Sequence, residues 1–350
     1  MVTFFQRWYK LNIFDLCLER AMHPEVSIII PAYNTAAYIK RSVESVLEQT
    51  FENFEIVVVD DASTDNTVEV LNSIQDPRLK VFRQPHNGGA GAARNRALKE
   101  ATGNWIAVLD SDDWYAPQRL ERLLHLANER QADMVADDLF IIEDGAAEPR
   151  TTMIRYCDAV IPDVIQIEPT DFVLSDIEGR KGLGLGFSKP LFRREFLVQH
   201  NIAYKPEIKV SQDFWLDMDC LVRGAKFFLL PEPYYYYLSR DGALTTSTNK
   251  IERLTQECDA VAQFLVDEVD YLRHHDSLTK ALSLKLKETQ KVRDYYTVVE
   301  PLKQGKIIQA IWGSLQRPLF FQKALRMLPR VLYRRLSSTF LRTKVYKKFS

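Results

Sequence analysis

A chain of 350 residues, 46% hydrophobic and 27% charged, is globular in composition and long enough for one large domain with extensions or for two ordinary domains. Its four cysteines, Cys17, Cys157, Cys220 and Cys258, lie too far apart for a zinc site or a disulfide scaffold, which favours a reducing cytoplasm. The net charge of −1 hides an asymmetry, since residues 301–350 hold 12 Lys or Arg and no Asp or Glu, so that the rest of the chain is acidic.

In chain order, residues 1–23 read as an amphipathic extension. Its apolar groups (Phe4, Phe5, Trp8, Ile13, Leu16) are broken by Arg7, Lys10 and Asp15 before a signal-peptide core can form. No run approaches the roughly 20 apolar residues of a membrane span, so the chain is expected to be soluble or peripheral. From 24 to 145, short β-branched runs alternate with helical patterns. Strands are predicted at 26–30, 54–59, 79–82, 105–109 and 133–142, and helices at 36–49, 64–74, 91–102 and 117–130. Thr64 suits a helix cap, Gly103 a helix end and Pro117 a first turn. The strands are apolar on consecutive positions, as expected where both faces of a parallel sheet are covered, and ligands of such α/β sheets bind beyond the carboxyl ends of the strands.

Those ends are polar. The first strand runs into Pro31, Ala32, Tyr33 and Asn34, the second into Asp60 and Asp61, and the fourth into Asp110, Ser111, Asp112 and Asp113. While the chain stays extended, Asp110 and Asp112 point to one side, and two carboxylates so close raise each other's pKa. A divalent cation removes that penalty, and all-oxygen ligation favours Mg²⁺ or Mn²⁺ over zinc. Asp113 either caps the helix near Pro117 or touches ligand. The stretch NGGAGAARNRAL (87–98) touches on the dinucleotide fingerprint, but Arg94 replaces the third glycine and the glycines follow the third strand rather than the first, which disfavours a nicotinamide dehydrogenase. A tight turn at Gly88–Gly91, or an anion-facing loop with Arg94 at a helix start, are the remaining readings.

Five stretches in order, VSIIIPAYNTAAYIKRSVESVLEQTF, EIVVVDDASTDNT, NGGAGAARNRAL, GNWIAVLDSDDW and SQDFWL, resemble the family 2 glycosyltransferases over Val26 to about Leu244. The resemblance implies a GT-A fold: an α/β, Rossmann-like, mostly parallel sheet flanked by helices, here with a C-terminal helical extension. It implies an inverting hexosyl transfer from a nucleotide sugar, a UDP-hexose, to a glycan or lipid-linked glycan acceptor in surface polysaccharide assembly. Pro31, Ala32 and Tyr33 would line the base and ribose, Asp61 would meet uracil, and Asn87, Gly88, Arg94 and Asp110 would face the donor. Asp112 would ligate the cation, and Asp213 would be the catalytic base. Gln212 stands where the family often has Glu. Arg240, within a stretch similar to a basic loop that closes over the diphosphate, is either an anion contact or a solvated turn residue. Trp114, Trp215 and Tyr234–Tyr237 are acceptor platforms or core.

The expected organisation is a glycosyltransferase domain at 24–248, divided into a nucleotide-sugar half (24–145) and an acceptor half (146–248), then a helical segment (249–300) and a basic tail (301–350). In the tail, Phe321, Leu325, Leu328, Leu332 and Leu336 recur at helical spacing between cations, a pattern that suits an anionic membrane surface or an apolar stripe packed on the protein. No nucleic-acid partner is expected, because the site is acidic and no binding module is present. A catalytically idle nucleotide-sugar or glycan-binding module is the competing reading.

Overall fold

The computed structural model describes residues 23–177, 183–240 and 249–325. The apolar runs of the first hundred residues form the parallel half of a ten-stranded sheet: β1 (Val26–Ala32), β2 (Phe54–Asp60), β3 (Leu79–Arg83) and β4 (Trp105–Val108), in the order β3-β2-β1-β4. Consecutive burial along β1, β2 and β4 follows from cover on both faces. Helices α1 (Ile39–Leu47), α2 (Thr67–Asn72) and α3 (Ala90–Glu100) link the strands. With β1 between β2 and β4, the three polar strand ends open side by side.

The second half is mixed. It comprises β5 (Trp114–Tyr115), α4 (Arg119–Arg130), β6 (Met134–Glu143), β7 (Thr151–Thr152), α5 (Met153–Tyr156), β8 (Ile165–Ile167) and α6 (Pro169–Ser175), then β9 (Leu191–Arg193), α7 (Arg194–Gln199), α8 (Gln212–Leu221) and β10 (Phe227–Ser239). The three-residue β9 wedges antiparallel between β4 and β6, while β10 runs parallel to β6 and antiparallel to β5 and β8. That wedge places residues just before β9 beside the end of β4, a juxtaposition that no local pattern announces.

Three local expectations are corrected. Thr64 does not cap α2, because its N–H donates to Asn34 Oδ1 (2.8 Å) and Asp65 Oδ1 takes the Thr67 N–H (3.0 Å). Gly103 does not end α3. It is needed for close approach, since a Cβ there would lie 2.6 Å from the Ser27 nitrogen. Pro117 precedes α4, which starts at Arg119.

At the end of the sheet away from the polar strand ends, the buried Glu55 carboxylate ties β2 to its neighbours. It accepts from Ser27 Oγ (2.6 Å), Lys80 Nζ (2.6 Å) and Thr102 N (2.7 Å). Burial alone would raise its pKa, but these donors outweigh it and bring it down to about 2.

The described residues fall into two compact units, the first holding the sheet and α1 to α8. The second contains α9 (Lys250–Asp267), α10 (Val269–Leu272), α11 (Asp276–Lys303) and α12 (Ile307–Leu315). Leu254, Val261 and Phe264 of α9 and Leu278, Leu282 and Val292 of α11 form its core. Gly305, at φ +76°, lets the chain turn out of α11 into α12. Among the described residues, no helix is long and apolar enough to cross a membrane. The extension 1–22 and the tail beyond 325, with Leu328, Leu332 and Leu336, lie outside the described residues.

Candidate active site

Strand β4 stops at Val108, so strand alternation does not govern the acids that follow. The Asp113 N–H donates to the Asp110 carbonyl (3.0 Å), closing a turn, and the three carboxylates fan apart. Helix α1 holds this turn, with Arg41 donating to the Asp112 carbonyl (3.0 Å) and Ser42 Oγ to the Asp113 carbonyl (2.6 Å).

Asp113 does not cap α4, whose N-cap is Gln118. It is buried, and its carboxyl accepts from Tyr235 Oη (2.6 Å) and from the Leu238 N–H (2.8 Å), binding the turn to β10. Burial, then Asp112 and Asp110, pushes its pKa well above the usual carboxylate range.

Asp110 and Asp213 form a network with two cations. Arg94 Nη2 donates to Asp110 Oδ1 (2.5 Å), and Lys189 Nζ lies 3.0 Å from Asp110 Oδ2 while also donating to Asp213 Oδ2. Tyr204 Oη donates to Asp213 Oδ1 (3.2 Å), which is 3.9 Å from Arg94 Nη1. Burial raises both carboxyls, but Lys189 and Arg94 outweigh it, so both lie below their ordinary values and are ionised at neutral pH. Asp213 lies in the first turn of α8 with its side chain 18% exposed, and it caps nothing. Asp217, one turn on, is fully buried with neither oxygen hydrogen-bonded, and burial, then Asp213, pushes its carboxyl well above the usual carboxylate range.

Lys189 was not singled out as a site residue by its sequence. It stands two positions before the first residue of β9, in SKPLF, and its carbonyl accepts from Arg119 Nη2 (2.6 Å). Arg119 is buried and paired with buried Asp137 (2.8 Å), so a core ion pair fixes the loop that carries the lysine. The only local hint was a lone lysine at the edge of an apolar run.

Arg94 is turned into the protein and does not face solvent. It is buried, and its guanidinium serves Asp110 and Gln212 Oε1 (3.2 Å). Gln212 in place of Glu therefore takes a hydrogen bond from Arg94 without claiming its charge. A Cβ on Gly91 would lie 2.7 Å from Gln212 Nε2, which explains a glycine there. Asp61 anchors the glycine loop, accepting from the N–H groups of Gly88 (2.8 Å) and Gly89 (2.7 Å) and from Gln84 (2.7 Å). With those amides engaged, the loop is not an open phosphate cradle of the dinucleotide kind. Ala32 is buried, whereas Asn87, Gly88 and Tyr33 (47% exposed) face solvent at the mouth.

Asp112 stands apart from the network. Its Oδ2 accepts from Arg240 Nε (2.7 Å), and the guanidinium lies 4.8 Å over the Tyr38 ring, which itself donates to Asp144 (3.0 Å). Thus Arg240 is paired with a carboxylate and is not a solvated turn residue. Asp110 and Asp112 are each paired with protein cations, Arg94 and Lys189 for the first and Arg240 for the second, so neither carboxylate lacks a counter-ion. Among the described residues, no group of three or more His, Cys, Asp or Glu is placed to hold a metal. Trp215 and Tyr235 belong to the core, while Trp114 stacks on Tyr236 (5.0 Å) beneath Arg41.

Residues 27–197 match Glycosyl transferase family 2. The chain is 30% identical over 322 residues to the succinoglycan biosynthesis protein ExoO of Rhizobium meliloti, covering 91% of this chain and 88% of that protein. Among solved structures, it resembles residues 1–349 of S. aureus TarS in complex with UDP-GlcNAc, with a TM-score of 0.58 and 20% identity over 87% of this chain and 92% of that one. It also resembles the mannosyltransferase PcManGT of Pyrobaculum calidifontis in complex with GDP-Man and Mn²⁺, with a TM-score of 0.53 and 18% identity over 87% and 83% of the two chains.

Proposed function

Given that this chain belongs to glycosyl transferase family 2, and is a glycosyltransferase of the GT-A fold, we propose that it transfers a hexose with inversion from a UDP-linked donor to a glycan or lipid-linked glycan acceptor in polysaccharide biosynthesis. The membership removes the dehydrogenase reading. We place the enzyme in the cytoplasm, which the dispersed cysteines favour. Residues 24–248 would be the catalytic part, with the donor held by 24–145 and the acceptor by 146–248.

The observation that carries the reading is the state of Asp213. A base that activates a hydroxyl must be ionised, reachable and fixed, and Asp213 is partly exposed, held ionised by Arg94 and Lys189, and oriented by Tyr204. In the reaction, the acceptor O–H proton passes to the Asp213 carboxylate as the oxygen attacks the anomeric carbon. The bond from that carbon to the diphosphate breaks, and its electron pair leaves with the nucleoside diphosphate. Pro31, Ala32, Tyr33, Asn87 and Gly88 would border the nucleotide. Asp61 would act from the loop it anchors, and Asp110, oriented by Arg94 and Lys189, would face the ribose. Arg94 is a positioning residue in this reading.

The residues present fit a divalent cation held by one carboxylate. Asp110 and Asp113 are committed to the network and to β10, whereas Asp112 has one cationic partner, Arg240, and an all-oxygen donor set completed by donor phosphates suits Mg²⁺ or Mn²⁺. Such an ion supplies charge stabilisation to the leaving diphosphate. Arg240, displaced from Asp112, would be left to meet the phosphates.

Donor hydrolysis across a panel of nucleotide sugars, with Mn²⁺ and with chelator, tests the proposal. UDP release from a UDP-hexose that requires the cation is expected. Binding of UDP-sugars with neither hydrolysis nor transfer would instead identify an idle binding module.

A further inference from the structure

Helix α12 packs through its small residues and shows its large ones to solvent. Ala310 and Gly313 are buried against α11, where a Cβ on Gly313 would lie 3.6 Å from Val298 Cγ2. On the opposite side, Ile307, Ile308, Ile311, Trp312 and Leu315 are 54 to 77% exposed and form one stripe, about 140° wide at 100° per residue. Phe321 and Leu325 are likewise exposed. Contiguous apolar surface of this kind marks a docking face.

Its charge setting selects the partner. Lys303 and Lys306 flank the start of the stripe, and Lys323 follows its end, beyond Arg317, whose guanidinium lies 3.9 Å from Asp294. Residues 301–350 contain 12 Lys or Arg and no acid, and the nearest acid before them, Glu300, is paired with Lys303 (2.7 Å). A second copy docked here through the same face would bring like charge against like charge. An anionic surface with an apolar interior satisfies both features.

We propose that α12 is the membrane-docking element of this protein and seats it on anionic phospholipid. The stripe enters the boundary between headgroups and acyl chains, while the flanking cations meet the phosphates. This places the amphipathic element at 307–315, ahead of the pattern expected at 321–336. The proposal deepens the reading of a lipid-linked acceptor, but it does not depend on donor or metal.

The full chain should co-sediment with phosphatidylcholine vesicles that contain phosphatidylglycerol and not with phosphatidylcholine alone, and salt should weaken the binding. Ile308→Glu with Ile311→Glu should lower binding at least about tenfold while leaving donor hydrolysis in free solution and the melting temperature unchanged. Brominated acyl chains should quench tryptophan fluorescence, and Trp312→Phe, which preserves the apolar stripe, should remove most of that quenching. Vesicle binding that survives the double substitution, or quenching that survives Trp312→Phe, overturns the proposal. So does a double variant that dissociates an oligomer in sedimentation velocity and still binds vesicles, which assigns the face to a second copy. Vesicle binding is read without donor and hydrolysis without vesicles, so failure of one leaves the other standing.

Discussion

On the inner side of the acid turn, Asp110 and Asp213 share two cations that are themselves fixed, Arg94 by the packing of α3 and Lys189 through the Arg119–Asp137 core pair. On the outer side, Asp112 meets the single guanidinium of Arg240 at the end of β10. The inner carboxylates are held ionised by the protein alone, so they are suited to roles that require charge before substrate arrives. In the reading proposed above, Asp112 would exchange that guanidinium for a divalent cation when the donor binds. Asp110 and Asp112 are only two positions apart in sequence, yet what distinguishes them is the origin of their counter-ions.

The hardest way to break the inner side is Asp213→Asn, which keeps shape and removes the base. Transfer should fall by on the order of a thousandfold, while donor affinity, read by calorimetry with UDP, stays within about twofold. Retained transfer would remove Asp213 from the base role. On the outer side, Asp112→Ala should cost on the order of a hundredfold in Mn²⁺-dependent transfer, the equivalent of a few kcal/mol, with melting unchanged. Asp113→Ala sharpens the contrast, because its carboxyl holds β10 by two buried hydrogen bonds. It should lower stability by about 2 kcal/mol in urea titrations and leave the rate per folded molecule closer to wild type than Asp112→Ala does.

Lys189→Met tests whether the lysine keeps the base ionised. Removing a cation beside a carboxylate favours the protonated form, so the acid limb of the kcat/KM profile should move to higher pH, and Lys189→Arg should move it back. Arg94, Tyr204, Asp110 and Asp217 also face Asp213, and all four remain in the variant. A loss of about tenfold in kcat/KM at neutral pH is expected, growing as pH falls. A uniform loss at every pH would reduce Lys189 to a packing residue.

Strands β1, β2 and β4 of the parallel half were legible because burial on both faces makes their residues almost uniformly apolar, and the acids because strand ends in such sheets meet ligand. Lys189 was not, since a three-residue strand inserted between β4 and β6 brings it to Asp110 from 79 positions away, and no periodicity encodes that step. Nor could spacing separate Asp112 from Asp113. Their fates depend on Arg240 and Tyr235, more than a hundred residues downstream. The predicted strand alternation failed for a local reason, because the Asp113 N–H turned back to the Asp110 carbonyl.

The smallest expected effect on transfer comes from Glu55→Gln, which carries the comparison to the far end of the sheet. Glu55 resembles the inner acids in its cation-paired carboxylate, but it is buried and lies at the start of β2, while the site lies at the strand ends. A carboxylate accepts from Ser27, Lys80 and Thr102 together, whereas an amide must turn its NH₂ toward donors. With the folded pKa brought from 4.5 down to about 2, the group's contribution is fully present above about pH 4.5 and is lost as pH falls toward 2. The variant should therefore be less stable than wild type by about 2–3 kcal/mol at pH 7, a gap that narrows below pH 4.5 in denaturant titrations, with kcat/KM unchanged at temperatures where both are folded. A gap that persists undiminished at pH 3 would mean that the amide's steric misfit, and not the lost charge, sets the cost.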